Sequence, residues 1–162
     1  MKFPRHGLGC GALAVFLAGA TSVPTQEREI SCDKVPGPVR AAFERAYPEA
    51  AIKGCAEEVE EGKTVYEIES VEGGTGRAVL FHADGTLIVV EETVAVGNVP
   101  EPVQQAVHKR YPDGVITLAE KVMRDATVLY EFRVKDGDSF EEIVFDGSGK
   151  EVEHSSGQEA EQ

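Results

Sequence analysis

The sequence predicts an α+β fold in which two tandem α-β4 repeats form one antiparallel sheet of about eight strands, with two short helices packed on one face. Three observations predict it. The same residue types recur at a constant spacing along the chain. Each repeat begins with apolar residues spaced to form one face of a helix. Each then continues with segments in which apolar and polar residues alternate, separated by turns that contain glycine.

The repeat is visible as matched residue pairs that all differ by 64 in number, so no insertion is needed to align the two halves. The pairs are Val35-Pro36 with Val99-Pro100, Tyr47-Pro48 with Tyr111-Pro112, Ile52 with Ile116, Tyr66-Glu67 with Tyr130-Glu131, Phe81 with Phe145, and Gly85 with Gly149. Agreement over so many unlike residue types indicates duplication of one structural unit.

Each unit is predicted to begin with a helix of about three turns. Val39, Ala42 and Phe43 have the spacing of one helical face in the first unit, and 103, 106 and 107 are apolar in the second. Both helices should end near a Tyr-Pro pair, because the residue before proline disfavours the helical conformation. Helices this short are marginal alone and need a surface to pack on.

Four strands are predicted to follow each helix and supply that surface. The segments are 52–59, 64–69, 77–81 and 86–91 in the first unit, and 115–123, 128–134, 141–145 and 150–153 in the second. One unit of this size buries too little surface to be stable and leaves its sheet edges unpaired. Joining both units in a single sheet corrects both problems.

The remaining segments complete the predicted domain division. Lys2 and Arg5, the apolar segment 7–20 and the small residues at 18–20 are typical of a secretory signal peptide, 1–20, cleaved after Ala20. The alternative is a buried N-terminal helix. The other predicted segments are a linker at 21–34, the first repeat at 35–93, a linker at 94–98, the second repeat at 99–153, and a disordered acidic tail at 154–162.

The chain is strongly acidic, with 29 Asp and Glu against 16 Lys and Arg and a formal net charge of −13. Phosphate binding needs clustered basic side chains, so this composition argues against a nucleic-acid partner. After the N-terminal segment, no apolar run approaches the length of a membrane span. Together with the predicted signal peptide, this predicts a periplasmic or secreted chain.

Two cysteines remain after the predicted signal peptide, Cys32 and Cys55. In an exported protein they are expected to form a disulfide that closes a loop of 23 residues, and the alternative is two separate thiols. Neither belongs to a Cys-x-x-Cys pair or adjoins a histidine, which argues against thiol catalysis.

No catalytic, metal-binding or cofactor motif is found. Histidines are scarce and separated, and Asp136-Gly137-Asp138 lacks the glycine and ligand positions of a helix-loop-helix calcium site, so an acidic hairpin turn is predicted there. Gly73-Gly74-Thr75-Gly76 is likewise predicted to be a turn between strands. We expect no enzyme activity, no cofactor and no metal ligands.

The candidate binding residues are Glu67, Glu69, Glu131 and Arg133. Strand alternation places these four side chains on the sheet face away from the helices. Because their neighbours on that face are charged, we expect the face to be exposed and solvated, and to serve for recognition if it has a role. Tyr66 and Tyr130 are predicted to be core residues.

The order of motifs in each unit resembles the PepSY-like, β-lactamase-inhibitor-like domain of exported bacterial proteins. The first unit shows Val35-Pro36, Tyr47-Pro48, Tyr66-Glu67 and the segment 81–85, ending in Asp84-Gly85. The second shows the same motifs 64 residues later, with Ser148 in place of the aspartate. The resemblance covers nearly all of the chain after the signal peptide.

This resemblance implies tandem helix-plus-sheet units and a binding or inhibitory role rather than catalysis. We therefore predict a non-catalytic exported binding module with a protein or peptide partner outside the cytoplasm, of the kind that modulates a peptidase or another enzyme. The alternative, based on the acidic excess, is a soluble periplasmic binder or sensor of a ligand or divalent cation.

Overall fold

The computed structural model describes residues 28–60 and 62–158. The predicted signal peptide, the first part of the predicted linker at 21–27, and residues 159–162 lie outside this range.

These residues form two α-helices and a nine-stranded antiparallel sheet in which strands adjacent in sequence are adjacent in space. The strands are β1 (Arg28–Glu29), β2 (Ala51–Glu60), β3 (Lys63–Glu72), β4 (Thr75–His82), β5 (Leu87–Thr93), β6 (Val115–Arg124), β7 (Thr127–Asp136), β8 (Ser139–Asp146) and β9 (Glu151–Gln158). The helices are α1 (Gly37–Ala46) and α2 (Glu101–Arg110), and short 3-10 turns span Cys32–Lys34 and Val96–Asn98. The predicted fold class is confirmed.

The elements of the two units begin at residues displaced by 64 throughout, and they end in the same way except that β9 is one residue longer than β5. Starting residues 37, 51, 63, 75 and 87 in the first unit correspond to 101, 115, 127, 139 and 151 in the second. The strand beyond the predicted eight is β1, which pairs with β2 through only two residues. It shields part of an edge that would otherwise offer unpaired backbone groups.

Proline determines both ends of each helix. Pro36 is the residue before α1 and Pro38 lies in its first turn, where an amide N–H has no helical partner to lose. The helix ends at Ala46, and Tyr47, which precedes Pro48, has left the helical conformation with φ −134°. Helix α2 ends in the same way before Tyr111, as the sequence predicted.

Each helix packs on the sheet of its own unit and buries a separate apolar core. The buried residues of the first core are Val35, Val39, Phe43, Cys55, Ile68, Val79, Phe81 and Val90. Those of the second are Val99, Val103, Val107, Tyr111, Ala119, Phe132, Val134, Ile143 and Phe145. Tyr66 and Tyr130 are half-buried against these cores, as predicted.

A third apolar cluster lies on the opposite face of the sheet and joins the two units. It contains Val65, Leu80 and Val89 from the first unit and Val122, Leu129 and Val144 from the second. The sequence predicted one apolar face and one charged face, and this prediction is wrong at the centre of the sheet. Consecutive apolar residues at 78–81 of β4 contribute to both faces, because adjacent strand residues point to opposite sides.

The predicted disordered tail is also wrong for residues 154–158, which form the second half of β9. Their composition is polar, but a strand is stabilised through its backbone ladder, and β9 pairs with β8 from Phe145↔Glu151 to Ser139↔Gln158. His154 adds a side-chain contact, with 2.8 Å between its Nε2 and an oxygen of Glu141. Composition alone does not reveal this pairing.

Cys32 and Cys55 form the predicted disulfide, with their Cα atoms 5.3 Å apart. The bond connects the 3-10 turn before α1 to β2. Arg40 of α1 contacts the same turn, because its Nη2 donates a hydrogen bond of 2.7 Å to the carbonyl oxygen of Cys32. The disulfide therefore connects the start of the described chain to the sheet.

Removing this disulfide is expected to destabilise the protein by about 3 kcal/mol. A crosslink that spans 23 residues restricts the unfolded chain by about that amount in the chain-entropy account. The measurement is urea denaturation of a Cys32→Ala/Cys55→Ala variant beside the oxidised parent protein. Reductant should lower the midpoint of the parent and leave the variant unchanged. Equal midpoints for the oxidised parent and the variant would contradict the prediction.

Candidate binding face

The face of the sheet away from α1 and α2 is called here the open face, and its apolar cluster contains no residue of either helix. The cross-strand register assigns side chains of β2 to β9 to it. They include Glu58, Val65, Glu67, Glu69, Val71, Gly76, Ala78, Leu80, Val89, Glu91, Thr93, Leu118, Glu120, Val122, Leu129, Glu131, Arg133, Glu142 and Val144.

The structure places all four predicted binding residues on the open face. The expectation that they are solvated is wrong for two of them, since Glu67 is 1% exposed and Glu131 is 6% exposed. The reason is their cross-strand neighbours. Glu67 lies opposite Leu80, and Glu131 lies opposite Val144. Glu69 and Arg133, nearer the end of the strands, are half-buried.

Sequence reasoning missed further buried carboxylates on this face. Glu120 of β6 lies directly opposite Glu131, and Glu91 of β5 lies opposite Val122. Both are almost fully buried, as is Glu58. Alternation within β5 does place Glu91 on the same side as Val89. The pairing of Glu120 with Glu131, however, follows only from the register between β6 and β7.

This grouping has a large effect on the acidity of Glu131. Burial, together with the nearby carboxylates of Glu91, Glu120 and Glu142, raises the pKa of Glu131 to about 9, and Arg133 opposes the shift. Glu131 is therefore protonated at neutral pH. A neutral carboxyl beside Glu120 can donate a hydrogen bond, and it avoids placing two like charges directly across from each other.

Arg133 forms an ion pair within the open face. Its Nη2 and Nε atoms lie 2.7 Å and 3.0 Å from Oε1 of Glu142 on the neighbouring strand β8. Both side chains are half-buried, so the pair fixes the arginine against the sheet. The charge of Arg133 is thus matched by a carboxylate of its own unit.

A cavity of about 60 Å³ opens at the corresponding end of the first unit. Its lining residues on the open face are Glu69, Val71, Gly76, Ala78, Thr93 and Glu120, and Lys53, Ser70 and Arg77 complete the wall. Thr93 is held in place by a 2.8 Å hydrogen bond that its Oγ1 accepts from the amide of Gly76. The carboxylate of Glu69 lies over Gly54, where a Cβ would be 2.8 Å from its Oε2.

A second cavity, of about 200 Å³, lies on the helix side beside the disulfide. Ile68 is one of its lining residues, and the equivalent position in the second unit is Phe132, whose ring is fully buried in the core of that unit. Arg40 and Glu44 border this cavity.

The acidic and glycine-rich segments singled out in the sequence are turns, as predicted. Gly137 and Asp138 connect β7 to β8, and Gly73 and Gly74 connect β3 to β4. Within residues 28–60 and 62–158, no group of three or more His, Cys, Asp or Glu side chains is placed to hold a metal ion. No helix in that part of the chain is long and apolar enough to cross a membrane.

The sequence matches the family described as "Putative beta-lactamase-inhibitor-like, PepSY-like" twice, over residues 21–89 and 70–152. Together the two matches cover most of the chain. The first spans most of the first unit, and the second begins within the first unit and spans most of the second. The chain belongs to this family. The predicted resemblance is thus confirmed. A comparison with curated proteins finds no match.

Solved structures share the fold of this PepSY-like protein. A "putative periplasmic" protein from Bacteroides eggerthii is 21% identical, with a TM-score of 0.66 over 75% of this chain and 88% of that one. A DUF2874 family protein from Bacteroides ovatus is 19% identical, with a TM-score of 0.63 over 76% and 89%. A BLIP-like protein from Bacteroides fragilis is 19% identical, with a TM-score of 0.61 over 78% and 89%.

Proposed function

We propose that this PepSY-like protein is an exported, non-catalytic module that binds a protein or peptide partner outside the cytoplasm through its open face. The observation that carries the proposal is the composition of that face. Half-buried polar and apolar side chains form its rim, around a centre in which an apolar cluster shared by both units packs beside buried carboxylates. The inhibitor-like description of the family supports binding rather than catalysis.

The rim of the open face supplies the groups that a partner would contact. Glu69, Thr93, Leu118, Arg133 and Glu142 are half-buried, whereas the centre between them is buried. A net charge of −13 favours a basic partner, because complementary charge speeds association and selects against acidic competitors. A partner that is itself an enzyme, such as a peptidase, is compatible with this chemistry.

Export is supported by the N-terminal pattern of a signal peptide and by a disulfide, which persists in oxidising compartments. A protein of the same fold from Bacteroides eggerthii is described as periplasmic, which agrees with this location.

The test is affinity capture from a periplasmic extract with two matched charge variants. Glu69→Lys with Arg133→Glu reverses two rim charges of the open face without changing net charge. Glu44→Lys with Arg45→Glu makes the same two changes on the exposed surface of α1. We expect the parent and the α1 variant to capture the same partner, and the rim variant to bind it at least about tenfold more weakly.

The variants must first show melting temperatures and circular dichroism like those of the parent. A partner that binds the rim variant as tightly as the α1 variant would rule out the open face. Failure of the parent to capture any protein or peptide would remove the proposed role.

A further inference from the structure

We propose that β9 is a second interaction site, where an extended segment of a partner protein adds a tenth strand antiparallel to β9 and places a lysine or arginine opposite Glu153. This inference goes beyond the proposed function, because it uses the edge of the sheet rather than the open face. It is drawn from a comparison between the two units, in which equivalent strands have different neighbours.

The strand equivalent to β9 in the first unit is β5, which is paired on both sides. One side of β5 pairs with β4, and the other pairs with β6 over residues Val90 to Thr93. By contrast, β9 pairs with β8 and is the last strand in the order of the sheet, so its outer side has no neighbour in the part of the chain that the structure describes. This edge is eight residues long and contains no proline or lysine, two residues that commonly protect an edge.

The backbone of β9 presents hydrogen-bonding groups along this outer side. In an antiparallel sheet, residues that bond one neighbouring strand alternate with residues that point to the other. Directly after β5, the amide of Val94 donates a 2.9 Å hydrogen bond to the carbonyl oxygen of Ala119 on β6, so the even-numbered residues of β5 face β6. The equivalent residues of β9 are His154 and Ser156, whose N–H and C=O groups therefore point outward.

The edge strand carries a carboxyl group, Glu153, at a position that the side chain of an added strand would face. Glu153 is half-buried, and its Oε2 is shielded from water and has no hydrogen-bond partner among the described residues. This burial raises the pKa of Glu153. The equivalent residue of the first unit is Val89, and continuing the β5–β6 register by one residue places Arg124 opposite it. The strand beside β5 thus has an arginine at the position that, beside β9, would face Glu153.

A basic segment fits this edge better than a second copy of the chain does. Two copies repel each other, because each has a formal net charge of −13. A head-to-tail contact between β9 and β2 of another copy would meet β1, which already pairs with Ala56 and Glu57. A β9–β9 contact would join two strands that each carry Glu151 and Glu153. In contrast, opposite charges placed directly across an antiparallel pair stabilise it.

The test is calorimetric titration of the purified protein with a synthetic peptide of residues 115–126, which contains β6. The peptide backbone supplies a matched control. Because the carbonyl group of Ala119 faces the adjoining strand, the amide of Lys121 also faces it and the amide of Val122 faces away. We expect N-methylation at Lys121 to abolish binding and N-methylation at Val122 to leave the affinity unchanged.

Two changes in the protein test the edge and the charge separately. Ser156→Pro removes an outward-facing N–H, a change that an edge strand tolerates, and should abolish binding, whereas Ser156→Ala should bind like the parent. Glu153→Arg should bind the peptide at least about threefold more weakly, and a peptide with Arg124→Glu should restore the affinity. Each variant must first match the parent in melting temperature and circular dichroism.

Three results would overturn the inference: no measurable binding by the parent at millimolar peptide, equal effects of the two N-methylations, or binding by Ser156→Pro as tight as by the parent. A parent dimer that Ser156→Pro converts to a monomer would also overturn it, because a second copy would then occupy the edge. The open-face variant with Glu69→Lys and Arg133→Glu should bind the peptide like the parent. Loss of binding in that variant would place the peptide on the open face instead of the edge.

Discussion

Gly149→Ala is expected to lower the free energy of unfolding by about 3 to 4 kcal/mol. Gly149 has φ +83°, a conformation that costs a side-chain-bearing residue about 1–2 kcal/mol. Its added Cβ would also lie 2.5 Å from the carbonyl oxygen of Pro102, in the first turn of α2. Because that atom is backbone, the helix itself must move on the sheet, which adds about 2 kcal/mol of packing loss.

The chain offers a control that separates the two costs. Gly137 has φ +60° and no atom within 4 Å of its added Cβ, so Gly137→Ala should cost only the conformational part, about 1 kcal/mol. Gly85, which has φ +88° and meets Pro38 of α1 at 2.7 Å, should behave like Gly149. Urea denaturation measures all three variants. If Gly149→Ala lowers the free energy of unfolding by no more than Gly137→Ala does, the turn does not hold the helix in place.

Glu131→Gln is expected to stabilise the protein by about 3 kcal/mol at pH 7. With its pKa raised to about 9, folded Glu131 holds a proton that the unfolded chain releases above its ordinary pKa of 4.5. Between these two values the folded state binds more protons than the unfolded state, so stability falls as pH rises. The glutamine amide does not titrate, so the variant does not lose this stability as the pH rises.

The pH dependence distinguishes this effect from a simple change of packing. Between pH 5 and pH 8.5, the stability advantage of Glu131→Gln over the parent should grow by about 1.4 kcal/mol per pH unit. Denaturation in urea at four pH values measures it. Glu49→Gln, a change at an exposed position in the turn after α1, should show no such trend. An advantage that stays constant across this range would contradict the burial of a protonated Glu131.

The two units differ in side chains at the positions where their strands meet in the shared sheet. Val65 and Leu129 are equivalent, as are Leu80 and Val144, and all four belong to the shared cluster. In contrast, Val89 and Val122 at the centre of the sheet correspond to Glu153 and Glu58 on its outer strands. The apolar residues lie where the units meet, and their polar equivalents lie toward the edges.

The last turn of each unit also differs between the two. In the first unit Asp84 accepts a 2.9 Å hydrogen bond from the amide of Thr86. Ser148 replaces this aspartate in the second unit, where Asp146 instead accepts bonds from the amides of Ser148 and Lys150. These bonds hold the pKa of Asp146 below its usual range. The turn survives the substitution because a neighbouring carboxylate takes over the contact.

By itself, the sequence determined the repeat, both helices, the approximate positions of eight strands, the alternation of side chains along them and the cysteines available for a disulfide. Each of these depends on short-range information: spacing along the chain, apolar periodicity, and the backbone preferences of proline and glycine. The faces of Glu67 and Glu131 followed from alternation alone.

Only the tertiary structure decided which side chains on those faces are buried and which residues they meet across the sheet. The burial of Glu131, its place opposite Glu120, the apolar cluster between the units and the strand at 154–158 all depend on register between strands. Register is set by contacts between residues far apart in sequence, and the side-chain pattern of one strand does not specify its partner. A glutamate that alternation assigns to an open face can therefore be solvated or buried, and its neighbours across the sheet decide which.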